Sequence, residues 1–225
     1  ALLAEDGAVV IEAPYLLDLL DHREFDTIYH QHLLYLTLTS VAAIFAPHGL
    51  HLNDAERLRV HGGSLRMTLS RSAERSEALV AALAEEARRG VGTRELYAPF
   101  LADLAAMRAE MRAMLDALKA EGARVAGYGA AAKATTLCAW FGIDAGDLEA
   151  IADRNAAKQG WSMPGNGIPI VAPEALHADP PDVVLILAWN FANEIMAENA
   201  DLAARFLVPV PRPRFVTAGA AEMAL

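Results

Sequence analysis

The stretch Gly127-Tyr128-Gly129-Ala130-Ala131-Ala132-Lys133 joins a strand-like run at 124–128 to an alanine-rich run at 131–141. The first run predicts a buried strand and the second a helix, so the glycines fall on a strand-to-helix turn. Glycine at such a turn permits a tight bend and lets backbone N–H groups approach a phosphate, while the helix N-terminus adds partial positive charge. The spacing fits the form G-x-G-x-x-A. A strand predicted at 148–152 then leads to Asp153, about 20 residues past the loop, where an acid can bond ribose hydroxyls. Lys133 adds a point charge suited to a diphosphate. Gly127, Gly129, Ala130, Ala131, Lys133 and Asp153 are therefore candidate nucleotide-binding residues; the alternative is a turn that needs glycine for geometry alone.

Strands and helices alternate beyond this loop. Strands are expected at 168–171 and 182–188, a short helix starting at 173–176, a helix at 192–204, and edge strands at 206–208 and 214–217. Such alternation predicts an α/β fold with a parallel sheet. Upstream, 72–121 is rich in Ala, Glu, Arg, Leu and Met and predicts helices broken near Gly90-Val91-Gly92. Its Leu101, Leu104, Met107, Met111, Met114, Leu115 and Leu118 recur at three- and four-residue steps, the mark of a packed helix face. Nearer the start, 8–11 reads as a strand buried on both faces and ended by Pro14, followed by an aromatic and histidine-rich stretch at 15–38 without clean periodicity. A helix capped by Thr39 or Ser40 should end near Gly49, its last turn weakened by Pro47. Strands at His51–Leu58 and Ser64–Ser70 would be joined through His61-Gly62-Gly63.

The chain has 225 residues, 54% of them hydrophobic, and 19 basic against 29 acidic residues give a net charge of -10. That balance repels phosphate backbones and anionic lipid, so no nucleic acid or membrane partner is expected, and an anionic ligand needs a locally positive pocket. Neither a spanning run nor a secretion signal is evident, which predicts a cytoplasmic protein. The single Cys138 lies in the apolar run 136–141 and reads as a packed thiol. The chain opens on Ala1 within a pattern that reads as a helix end, a turn and a strand, so it is expected to be part of a longer polypeptide.

Tyr29-His30-Gln31-His32 is a second cluster. Two histidines one residue apart could ligate a metal, yet no cysteine or carboxylate completes a short-spaced zinc site, and no metal site is assigned. A histidine could instead take a proton from a carbon beside a carbonyl, with Tyr29 donating to the developing enolate. Composition alone favours a structural, hydrogen-bonded pair.

Several motifs stand in series: Glu12-Ala-Pro-Tyr15, Phe25-Asp-Thr-Ile-Tyr-His-Gln-His32, His61-Gly-Gly-Ser-Leu-Arg66, the loop 127–133, Asp153-Arg-Asn-Ala-Ala-Lys-Gln-Gly160, and Ala188-Trp-Asn190. Together they resemble the SAM-dependent C-methyltransferases that act on nucleotide-linked keto-deoxysugars. The resemblance implies a fold in which the last strands of a class I methyltransferase Rossmann-like domain (1–71) and connecting helices (72–121) precede a C-terminal Rossmann-like, nucleotide-sugar-binding α/β domain (122–225). It implies His32 as general base, Tyr29 and Gln31 in support, and substrate contacts from Gly127, Gly129, Ala130, Ala131, Lys133, Asp153, Lys158 and Asn190. Gln31 stands where the family has Glu, which keeps an acceptor but removes a charge that would raise a neighbouring histidine's basicity. Ala134-Thr135 stands where the family has Gly-Asn.

The implied reaction is proton abstraction α to a sugar ketone by His32 and attack of the enolate on the methyl of S-adenosyl-L-methionine. The main site for that cofactor, and a zinc site in a small N-terminal domain, would lie on residues upstream of this chain, so the chain alone is expected to be inactive. The competing readings are a non-catalytic nucleotide-sugar or dinucleotide-binding module and an NAD-type oxidoreductase, the latter leaving the histidine cluster unexplained.

Overall fold

A computed structural model describes residues 3–58 and 63–216, which cluster into two compact units. The first holds 3–24, 33–58 and 63–102; the second holds 25–32 and 103–216. Among the described residues no helix is long and apolar enough to cross a membrane.

The first unit is built on β1 (Val9–Pro14), α1 (Leu16–His22), α2 (Leu38–Phe45), β2 (His51–Leu58), β3 (Ser64–Ser70) and α3 (Glu77–Arg88). Its sheet has the order β1-β3-β2, with both pairings antiparallel. The apolar run at 8–11 predicts burial on both faces; β1 is instead an edge strand, and Val10 is 62% exposed. Pro14 does not interrupt the ladder but closes it, opposite Ser64. Glu12 faces Arg66 in register, and their side chains meet at 3.3 Å. The expected cap of α2 shifts to Thr37, whose hydroxyl accepts from the Ser40 N–H at 3.0 Å in a reciprocal capping box. Pro47 leaves only a 3₁₀ turn at Ala46–His48 before the left-handed Gly49. The stretch without clean periodicity contains α1, seven residues too short to show a helical stripe, ended by Arg23 at φ 60°. His61 and Gly62 lie outside the described residues.

The second unit begins with residues 25–32 and takes up the chain again within α4 (Ala98–Ala120), where Leu104, Met107, Met111, Leu115 and Leu118 are buried as the helical spacing predicts. Leu101, on the part of α4 that belongs to the first unit, is 61% exposed and departs from that stripe. Then follow β4 (Val125–Tyr128), α5 (Ala132–Phe141), β5 (Ile151–Ala152), β6 (Ile170–Val171), α6 (Pro173–Ala178), β7 (Val183–Ile186), α7 (Ala192–Glu198), β8 (Arg205–Val208) and β9 (Arg214–Val216). The sheet order is β6-β5-β4-β7-β8-β9, parallel except for the last pair. This is a Rossmann-like α/β sheet: the chain winds outward from β4 in one direction, then returns to β7 on its other side. Val183–Ile186 is wholly buried, as an apolar run flanked by helices requires. Several elements, β5, β6, β7 and α7 among them, are shorter than the sequence predicts. A turn in which Leu148 N–H bonds to Asp144 delays β5, and Asn199 ends α7 by bonding the Ile195 carbonyl through both its backbone and side-chain amides.

Glu86 is a charge that helical periodicity could not assign to the interior. Fully buried on α3, its carboxylate accepts from Leu38 N–H (2.6 Å), Thr39 N–H (2.8 Å), Thr39 hydroxyl (2.6 Å) and Tyr15 hydroxyl (3.0 Å). It thereby satisfies two orphan donors at the start of α2. Removing it leaves four donors without their acceptor, the Tyr15 hydroxyl and Leu38 N–H in buried bonds and the two from Thr39 in part-buried ones, so Glu86→Ala should cost about 3 kcal/mol of stability. Urea unfolding checks this; Glu86→Gln, which keeps one acceptor, should lose clearly less.

Candidate functional site

β4 and β7 are adjacent in the sheet, but the chain leaves β4 toward β5 and comes to β7 only after β6. Their carboxyl ends therefore flank the point where the winding reverses, the place where open α/β sheets bind ligands. Two sequence-predicted motifs emerge there: the loop 127–133 after β4, and Ala188-Trp189-Asn190 after β7.

The two glycines of the loop have separate reasons. Gly127 sits inside β4, and a Cβ there would stand 2.9 Å from the Ile151 side chain. Gly129 adopts φ +96°, and a Cβ there would meet the Ala188 Cβ at 2.5 Å, so glycine is what lets the two motifs touch. The Gly129 N–H is already given to the Ala152 carbonyl at 2.7 Å. The donors left for a ligand lie further on, at the start of α5, where the N-cap Ala131 has no side chain with which to cap them.

Asp153 is 9% exposed and is committed within the unit. Its Oδ1 accepts the Asn155 N–H at 2.8 Å, and its Oδ2 pairs with Lys158 Nζ at 3.2 Å. Lys158 in turn donates to the Ala130 carbonyl at 2.8 Å. These contacts lock the segment after β5 onto the loop, which gives Asp153 and Lys158 a structural duty beside any ligand contact.

Residues 25–32 pack against α5. Phe25 is buried with its ring centroid 5.9 Å from Trp140 and 5.7 Å from Phe141, edge-on to the latter. Each such aromatic pair is worth about 0.5–1.5 kcal/mol beyond its area. Asp26 is fully buried and accepts the Trp189 indole N–H at 2.6 Å. Lys133 lies over the same indole, its ammonium 5.0 Å from the centroid. Burial pushes the Asp26 carboxyl above the ordinary aspartate range, with the Lys133 charge the foremost influence in the other direction, ahead of the indole and the nearby backbone N–H groups. Sequence reasoning passes over both Asp26 and Trp189 as individual residues, although each stands inside one of the motifs in series; a polar residue beside the apolar Phe25 is the available signal.

Tyr29 and His32 form a pair, with the phenol oxygen 3.3 Å from Nε2 and ring centroids 4.5 Å apart. A turn closed by His32 N–H to the Tyr29 carbonyl at 2.9 Å brings them together. His30 is exposed, tilted against Tyr29 at 6.2 Å. Gln31 is exposed, and the structure does not bring it to His32. Asn190 is half-buried in the turn Trp189–Phe191. Among the described residues no group of three or more His, Cys, Asp or Glu is arranged to hold a metal ion. Cys138 is buried, which pushes its thiol up to about 11, as a packing role requires.

The closeness of Gly129 to Ala188 yields a contrast. Gly129→Ala combines a left-handed backbone with a steric clash and should cost about 2 kcal/mol or more. Gly142→Ala, also left-handed at φ +65° but facing open space, should cost about 1 kcal/mol. Unfolding free energies of the two variants check the difference.

The same segments align with known proteins. Residues 59–211 match the family described as the C-methyltransferase C-terminal domain. The chain is also 38% identical over 224 residues to C-methyltransferase NovU of Streptomyces niveus, an alignment covering 97% of this chain and 53% of that protein. The chain thus spans about half the length of the curated relative it matches. On the residues matched and the identity, the chain belongs to the C-methyltransferase family.

Proposed function

We propose that this chain is the C-terminal part of a SAM-dependent C-methyltransferase that methylates the carbon α to the ketone of a nucleotide-linked deoxysugar. Residues 1–71 would complete its methyltransferase domain, with 25–32 packed instead into the unit that contains the loop 127–133, and 122–225 would hold the nucleotide sugar. The observation that carries this reading is that Tyr29 and His32, a proton-handling pair, belong to the same compact unit as the loop 127–133. A base and an anchor held in one unit keep a fixed spacing, which is what abstraction of one particular sugar proton requires.

Residue roles follow from the contacts. In the tautomer with its proton on Nε2, His32 donates to the Tyr29 oxygen, leaving Nδ1 as the lone pair that takes the substrate proton. The Tyr29 O–H then remains available to donate to the enolate oxygen as charge develops there. Gln31, exposed, would act at most on the neighbouring substrate surface. Lys133 and the uncapped donors at the start of α5 would bind the diphosphate, with Gly127, Gly129, Ala130 and Ala131 shaping the approach and Asn190 bordering it. Asp153 and Lys158 would hold the loop in place. S-adenosyl-L-methionine would supply the electrophilic methyl, held mainly by residues upstream of those in this chain. A nucleotide-sugar-binding module without catalysis is the second reading, favoured by Gln31 standing where the family has Glu.

Two outcomes are expected. Lys133→Ala should weaken binding of the tightest among UDP, dTDP, ADP and GDP by about 1.5–3 kcal/mol, measured calorimetrically. In the complete polypeptide, His32→Asn should lower turnover by about 10²–10⁴ and slow washout of deuterium from the sugar α-carbon correspondingly. Equal washout in the variant and the wild type would take the base assignment from His32 and give it to another group, while the family assignment stands.

A further inference from the structure

Asp26 is fully buried, yet among the described residues only one of its oxygens has a partner in hydrogen-bonding geometry: Oδ2 takes the Trp189 N–H, while for Oδ1 none is found and the Asp26 and Thr27 backbone N–H groups act on the carboxyl more weakly than the indole. Trp189 is itself fully buried, held at its N–H edge by Asp26 and met on its face by Lys133. A buried carboxylate with a bare oxygen is a liability that an apolar side chain would relieve. What the acid supplies in return is direction. An indole is oriented by two torsions, and an acceptor on its N–H fixes the plane on which the ammonium rests. Without that acceptor the face would turn and the preferred position of the ammonium would turn with it.

We propose that Asp26 is a positioning residue of the anion site: by fixing the Trp189 ring, it sets where Lys133 stands for a diphosphate at the start of α5. This rests on the reading above that the loop 127–133 binds a nucleoside diphosphate. Simple electrostatics gives the opposite sign, because a carboxylate near an anion site repels the ligand and its removal should tighten binding. The sign of the effect therefore separates positioning from charge.

The test uses the 225-residue chain, with UDP, dTDP, ADP and GDP as probes in titration calorimetry. Asp26→Leu should weaken the tightest of these on the order of 10-fold, within the span of coupling through shared contacts. Asp26→Asn keeps an acceptor for the indole and should bind within about twofold of wild type, or tighter. In a Lys133→Ala background, Asp26→Leu should cost no further affinity, because the group it positions is gone. A general loss of fold would not give that dependence. If circular dichroism shows Asp26→Leu unfolded, Trp189→Phe takes its place, keeping the ring face but not the N–H, with the same loss and the same lack of additivity expected. Wild-type or tighter binding by Asp26→Leu, or an equal loss in both backgrounds, overturns the proposal while the diphosphate reading stands. If none of the four probes binds, or Lys133→Ala binds as well as wild type, the diphosphate reading fails and takes the proposal with it.

Discussion

The hydrogen bond from the Trp189 indole to Asp26 joins residues 163 positions apart, and the candidate site depends on it. It is formed in a fully buried setting, where a hydrogen bond that is made is held strongly and an unmet donor is costly. Through it, the segment that carries Tyr29 and His32 is tied to the turn that follows β7. Phe25, packed against Trp140 and Phe141, adds the apolar half of the same attachment. Residues 25–32 thus belong to the α/β unit by packing, although in sequence they stand within the stretch that forms the other unit.

The second constraint is steric. Gly129 lets the loop after β4 lie against Ala188 after β7, at the reversal of the sheet's winding. A protein with a net charge of -10 needs local positive potential to receive an anion. On the proposed reading it would come from Lys133 and the uncapped start of α5, while Lys158 is held by Asp153 and the Ala130 carbonyl. The charge division is consistent with one lysine for a ligand and one for the scaffold.

Much of this was legible in the sequence because it rests on local rules. β2 and β3 keep the expected bounds, and the strand-to-helix turn at 127–133 follows from apolar periodicity and glycine spacing. The α/β order follows from alternation, and the family from motifs in series. What escaped depends on distant partners. The interior place of Glu86 is set by donors some 47 and 48 positions away, and nothing on α3 announces them. Asp26 reads as an ordinary loop acid until Trp189 is placed beside it. Asp153 has the position of a ribose ligand, but its commitment to Asn155 and Lys158 becomes visible only with coordinates. The exposed Val10 shows the converse error, since an apolar run does not reveal whether its strand stands at an edge.

If the Asp26–Trp189 bond ties the site together, residues 26–32 and the loop 127–133 respond to a ligand as one body. Amide hydrogen exchange, followed with and without the tightest-binding of the nucleoside diphosphates, reads that response segment by segment. Exchange should slow in both 127–133 and 26–32 when the ligand is added. Protection of the loop with unchanged exchange across 26–32, or protection confined to residues of the other unit, would contradict it.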